Sequence, residues 1–370
     1  MTGTRRRVVI CPDSFKGSLS AAEAARVISA GWRSVRGEDE MVLRPMADGG
    51  EGTLDAFLAA HDASPRTTRV TGADGRERDA PWALLPDGTA VVELGVCCGI
   101  EQLGSARAPF TAHTGGFGQA IAAALDAGAE RLVLGIGSSA STDGGAGLLR
   151  ALGARLLDAG GREVAPSPDG LASLASVDLS ALRAAPARGV LVLSDVTNPL
   201  TGPHGAAAVF GPQKGIPAER IGEVDDVLSR WAQALIVAAG AADELITAPG
   251  AGAAGGTGFA LRVWGADLVP GAAAVADLIG LPAASAAADV VITGEGSYDA
   301  QSAAGKVPAH VASLSSAATV LIAGRITPDA DTSAFAAALS LTELAGSPEA
   351  SLADPRRWLR EAAACAASRF

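Results

Sequence analysis

The stretch Arg5–Ser20, RRRVVICPDSFKGSLS, decides the fold. Arg5–Ile10 closes on Val8, Val9 and Ile10, three β-branched residues that read as a buried strand. The polar loop CPDSFKGS follows, and then Ser20 and Glu23 stand at capping-box spacing, which predicts a helix from about Ala21. The pattern repeats at once. Met41–Pro45 is a second short strand, MADGGEGT (Met46–Thr53) a second polar loop, and a helix runs on through His61. Strand, loop, helix twice over is the opening of a parallel sheet, whose ligands gather at the strand C-termini.

Farther along, the texture changes. Asp74-Gly75 and Asp87-Gly88 are turn signals set between alternating apolar runs, so antiparallel hairpins are expected from about Thr68. Arg131–Leu134 and Val190–Leu193 read as further buried strands. After Asp289 the parallel pattern returns: DVVITGEG as strand then loop, Val307–Leu314 as helix, ATVLIAG as strand. The expected fold class is therefore α/β with two domains. Residues 1–66 and 286–370 form a parallel-sheet, Rossmann- or flavodoxin-like domain, and residues 67–285 an inserted mixed α/β domain.

Composition narrows the partners. The 370 residues are 48% hydrophobic and 19% charged, a globular balance with length for real cores. A net charge of -11 with only 4% aromatics argues against a nucleic-acid partner, which needs a basic face and stacking rings. No apolar run approaches a membrane span, and the N-terminus lacks a signal-peptide h-region, so a cytoplasmic location is expected. Cys11, Cys97, Cys98 and Cys365 form no CxxC pair and read as reduced thiols.

The chemistry shows in the rare residues. Lysine occurs three times, and each copy abuts a glycine: Lys16-Gly17, Lys214-Gly215 and Gly305-Lys306. Asn198 is the one asparagine. A chain otherwise using arginine places lysine where a compact cation must sit beside close-approaching backbone, which points to phosphate. Asp48, Gly49, Gly50 and Glu51 precede a helix and suit an anion at its N-terminus. In GIGSSASTDGGAG (Gly135–Gly147), Ser138 and Ser139 offer hydroxyls, and Asp143 a metal or hydroxyl contact. Asp195, at a strand end, reads as a general base or Mg²⁺ ligand, with Asn198 holding a ligand oxygen or closing a turn before Pro199. Glu295 and Asp299 add carboxylates before Lys306.

Two lookalikes compete. Gly135-x-Gly137-x-x-Ala140 fits a relaxed dinucleotide fingerprint with Asp158 as ribose acid, which would make the chain a hydroxy-acid dehydrogenase. Against it, Asp158 lies in what reads as a hairpin turn, LLDAGGRE, and the helix starts only after Asp143-Gly144-Gly145. The segment before Lys306 imitates a Walker loop, but Ala300 and Val307 replace the required Gly and Ser/Thr. A non-catalytic hydroxy-acid sensor is the other alternative. No HExxH or GxSxG supports a hydrolase.

Together the loops resemble the bacterial glycerate kinase family that forms 2-phosphoglycerate. The resemblance runs nearly end to end, through CPDSFKGSLSA, PMADGGEGT, LGIGSSASTDGGAG, DVTNPLTGPHGAAAVFGPQKG, GAGAAGGTGFAL and VITGEGSYDAQSAAGKVP. It implies ATP-dependent phosphorylation of D-glycerate with Mg²⁺, and a site in the cleft between two α/β domains. On these motifs Asp195 and Lys16 are the expected catalytic residues, with Asp195 and Glu295 at the metal. Ser14, Asp48, Gly49, Gly50, Glu51, Ser138, Ser139, Asp143, Asn198, Lys214, Gly255, Gly256, Asp299, Gln301 and Lys306 are the expected substrate and nucleotide contacts. A homodimer is left open. The sequence departs from the family at Thr142, where asparagine is usual, at Gly137-Ser138-Ser139 and at Val96-Cys97-Cys98-Gly99.

Overall fold

The computed structural model describes residues 4–61, 63–300 and 307–370. The chain divides into two compact units: residues 1–48, 55–63 and 271–370, and residues 49–54 and 64–270.

The first unit is built on a five-stranded parallel sheet in the order β13-β12-β11-β1-β2. Its strands are β1 (Arg7–Ile10), β2 (Glu40–Leu43), β11 (Val290–Tyr298), β12 (Ala318–Ile326) and β13 (Ala337–Ser340). Val8, Val9 and Ile10 are fully buried, which is why β1 reads as a continuous apolar run. Helix α1 (Ala21–Arg33) starts where Ser20 Oγ accepts a hydrogen bond from the Glu23 amide at 3.3 Å. It lies so close to the C-terminal helix Pro355–Ala367 that a Cβ on Gly31 would stand 2.3 Å from the Arg360 carbonyl. Ile28, Trp32, Ile292, Ile322 and Leu359 fill the core between sheet and helices.

One expectation is corrected here. GEGSY, read as loop, continues β11 to Tyr298, because β12 supplies a pairing partner as far as Tyr298↔Ile326. Pairing of β11 with β1 runs over Val290–Ile292, so β11 and β12 extend farther along their own shared ladder. Tyr298 steadies the extension. Its hydroxyl donates to the Asp331 carbonyl at 3.0 Å, and its ring meets Phe335 edge-on.

The second unit holds a six-stranded sheet in the order β10-β9-β6-β5-β4-β3. Its members are β3 (Arg66–Thr71), β4 (Glu77–Leu84), β5 (Thr89–Glu93), β6 (Arg131–Gly135), β9 (Val190–Leu193) and β10 (Asp267–Val269). β3, β4 and β5 are joined by the two predicted hairpins, with Gly75 and Gly88 at positive φ; β5, β6, β9 and β10 run parallel. The short pair β7 (Arg155–Leu157) and β8 (Ser176–Asp178) stands apart. No helix among the described residues is long and apolar enough to cross a membrane.

Candidate active site

In the second unit, three polar loops meet at the C-terminal ends of β6 and β9. The Gly137 amide donates to the Gly49 carbonyl at 3.1 Å. Gly49, at φ +95°, has the Leu193 carbonyl 2.3 Å from where a Cβ would be, and a Cβ on Gly137 would reach Gly50 Cα at 2.4 Å. Only glycine permits this interlock at positions 49 and 137. Glu51, Ser138 and Asp195 are exposed around it, with Gly50 and Asn198 partly so. Asp195 follows a short anchored segment, since the Ser194 amide donates to Val269 O at 3.0 Å. The Asn198 side chain donates to the His204 carbonyl at 2.8 Å and so closes its own turn.

Behind these loops lies a buried polar knot. Asp143 is fully buried. Its Oδ2 accepts from the Thr114 amide and hydroxyl and the Gly147 amide, and its Oδ1 from Ser141 Oγ and the Gly145 amide. Lys214 is also buried, and its Nζ donates to Ser139 Oγ and the Ser141 carbonyl. Burial pulls the Lys214 ammonium down to about 8, against the opposing influence of Asp143 and Cys98. Gly255 and Gly256 sit in a run of left-handed backbone, and a Cβ on Gly255 would stand 2.1 Å from the Ser141 carbonyl. Ser139, Asp143 and Lys214, all expected as ligand contacts, are thus linked in one network through Ser141, against which Gly255 packs, while Gly256 packs against Gly144. Thr142 Oγ1, buried beside them, has no partner among the described residues.

The dinucleotide lookalike fails on geometry. Asp158 Oδ1 accepts from the Gly160 and Arg162 amides, so that carboxylate is a turn residue. The helix after the loop begins only at Ala146.

In the first unit, the ends of β1, β11 and β12 open into a cavity of about 450 Å³. Ser14, Lys16, Asp48, Glu295 and Asp299 all line it, so five of the expected residues converge there. Gln301 and Lys306 lie outside the described residues. Reading the sequence missed two groups on the same wall, Asp13 and Arg325. Asp13 follows β1 in the same strand-end position that drew attention to Asp195. Arg325 is one of many arginines, and nothing local marks it.

Asp13 is the electrostatically strained member. Burial first, then Asp48 and Glu295, push its carboxyl up to about 7, against the Ser14 amide and Lys16. A carboxyl raised in the folded state stabilises it while protonated. That contribution is complete below the unfolded value near 4 and lost as pH climbs through about 7. In metal-free buffer, Asp13→Asn is therefore expected to melt above the parent at pH 8, with the gap closing at pH 5. Thermal unfolding at both pH values tests this; a gap that is constant or widens on acidification defeats it.

The carboxylates also bear on metal binding. Among the described residues no group of three or more His, Cys, Asp or Glu could hold a metal by itself. Mg²⁺ in phosphoryl transfer takes one or two carboxylates and completes its octahedron with phosphate oxygens and water. Hard oxygen donors such as Asp48 and Glu295 fit that requirement. The cysteines offer nothing here: all four are free thiols, and burial raises those of Cys11, Cys97 and Cys98.

Comparison with known proteins agrees with the loops. The profile of the Glycerate kinase family matches residues 8–370. A Bacillus subtilis protein named glycerate kinase is 43% identical over 322 residues, 86% of this chain and 84% of its own. The Escherichia coli protein named glycerate 2-kinase is 41% identical over 330 residues, 87% of this chain and 86% of its own. A crystal structure described as that of a "putative glycerate kinase 2" from Salmonella typhimurium LT2 superposes with a TM-score of 0.86 at 38% identity, covering 99% of this chain and 98% of that one. With both sheets, the strand-end loops and a match of this extent in hand, the chain belongs to the glycerate kinase family, enzymes that phosphorylate an alcohol group.

Proposed function

We propose that this enzyme transfers the γ-phosphoryl group of ATP to the 2-hydroxyl of D-glycerate, with Mg²⁺, releasing ADP and 2-phosphoglycerate. The convergence of Lys16 with Asp13, Asp48 and Glu295 in one strand-end cavity carries the reading. Phosphoryl transfer asks for positioned charge more than covalent chemistry. As the glycerate oxygen bonds to phosphorus, the bond to the bridging oxygen of ADP breaks and the hydroxyl proton passes to a carboxylate. Asp195 is assigned that proton or a place at the metal, and Glu295 and Asp48 are assigned to Mg²⁺, which when bound neutralises phosphate charge. Lys16 supplies a mobile cation to the phosphate or the glycerate carboxylate. Asp143 and Lys214 act indirectly, by holding the Gly135–Gly147 loop in shape.

The test is ADP release from ATP and D-glycerate, with phosphorus NMR of the product and NADH binding as control. Formation of 3-phosphoglycerate would remove the regiochemical assignment, and absence of ADP release the reading itself. Replacing Lys16 by alanine is expected to lower kcat/KM by about 10²–10³, the scale of losing one positioned donor at developing charge. Lys16 is exposed and lies off the core, so melting should not change. An unaltered kcat/KM would take Lys16 out of the site.

A further inference from the structure

The cavity of the first unit is larger and more two-sided than a three-carbon acid requires. Pockets of roughly 300–1,000 Å³ suit ligands of drug or nucleotide size, and this one holds about 450 Å³. Glycerate alone would leave most of it to water. One wall comes from the segment that follows β13, through Leu341, Pro348, Leu352 and Pro355. Leu352 keeps 68% of its surface exposed at the cavity edge, where its apolar side chain is open to a ligand. The opposite character belongs to the strand ends. There Lys16 and Arg325 line the cavity, and Arg325 Nη2 donates to Ser297 Oγ at 3.2 Å.

Arg325 is well placed for an anion. It stands on the β11–β12 extension, in register with Ser297, and Gly324 beneath it packs so closely that a Cβ would be 2.4 Å from the Gly296 carbonyl. The Thr342 hydroxyl donates to the Gly324 carbonyl at 2.9 Å and ties the apolar wall to the same strand end. Among the described residues the guanidinium makes no ion pair, which leaves its fork for a ligand. The cavity also holds Asp13, Asp48, Glu295 and Asp299, so its carboxylates outnumber these two cations. A bare triphosphate would be repelled there, whereas a magnesium-bound one brings the missing positive charge.

Resting on the ATP-dependent reading above, we propose that this cavity is the nucleoside triphosphate site. The base lies against Leu352 and Pro348, and Arg325 meets the phosphates. The acceptor's recognition then belongs to residues other than Arg325, Pro348 and Leu352.

The test is calorimetric binding of the magnesium complex of a β,γ-imido ATP analogue to the full-length enzyme, alongside KM for D-glycerate. Arg325→Met is expected to weaken the analogue about 10- to 100-fold, the loss of a charge-assisted hydrogen-bonded contact. Leu352→Asp is expected to weaken it roughly tenfold through lost apolar contact and added negative charge. Both residues are exposed, so the variants should fold, and KM for glycerate should stay within about twofold of the parent. Val237→Asp, at a site 78% exposed in the other unit, is the control and should change neither quantity. Unchanged analogue affinity in both cavity variants overturns the proposal, and more plainly if KM for glycerate rises, since the cavity would then be the acceptor's. A parent enzyme that binds no nucleotide overturns the ATP reading itself.

Discussion

Asp195→Asn is expected to lower kcat by about 10²–10⁴, the usual cost of losing a positioned base. Asp195 is exposed just beyond β9, a strand paired on both sides, by β6 and β10. The carboxylate is therefore held on rigid backbone while contributing little to the core. Asparagine keeps its shape but takes up a proton poorly and binds a cation weakly. The melting temperature should stay within about a degree of the parent, as for surface changes generally. Magnesium dependence separates the two assigned roles. If Asp195 helps hold Mg²⁺, raising the ion concentration restores part of the rate; if it accepts the proton, the defect persists at saturation. Turnover close to that of the parent would remove Asp195 from the chemistry altogether.

The second large effect is on stability. Asp143→Ala is expected to cost at least about 3 kcal/mol, because several buried donors lose their acceptor together and each unsatisfied group costs roughly 1–3 kcal/mol. The amides of Thr114 and Gly147 and the hydroxyls of Thr114 and Ser141 are all left without it. The buried Lys214 ammonium also loses a compensating negative charge. For the unit that holds Asp143, residues 49–54 and 64–270, the melting temperature should fall by roughly 6–12 °C. Asp143→Asn should fall less, since one of its oxygens remains an acceptor. Urea and thermal unfolding of both variants provide the measurement. A fully stable Asp143→Ala with abolished turnover would instead make Asp143 a direct substrate contact.

Local physics was readable residue by residue. The Ser20 cap, the turns at Gly75 and Gly88, and the delayed helix after Gly145 each depend on a few neighbouring residues, and each stands where expected. The same holds for Asp158, whose turn bonds come from residues within four positions. GEGSY was misread because glycine and polar side chains resemble a loop until a partner strand is known, and β12 lies beyond the next helix. Asp13 and Arg325 were missed for a related reason. Strand-end position is visible in a sequence, but convergence on one cavity is not, and rarity favoured lysine over an arginine that looked ordinary.

By itself, then, the sequence determined the two kinds of sheet, the loops that carry polar chemistry and the family to which they belong. Only the tertiary structure decided which of those polar groups are buried among protein donors and acceptors and which line a cavity. Lys214 reaches Ser139 across 75 positions, and Thr114 meets Asp143 across 29. Burial and hydrogen-bond satisfaction are supplied by such distant segments, so lysines alike in local sequence part ways. Lys214 is locked in a knot, while Lys16 opens into the cavity.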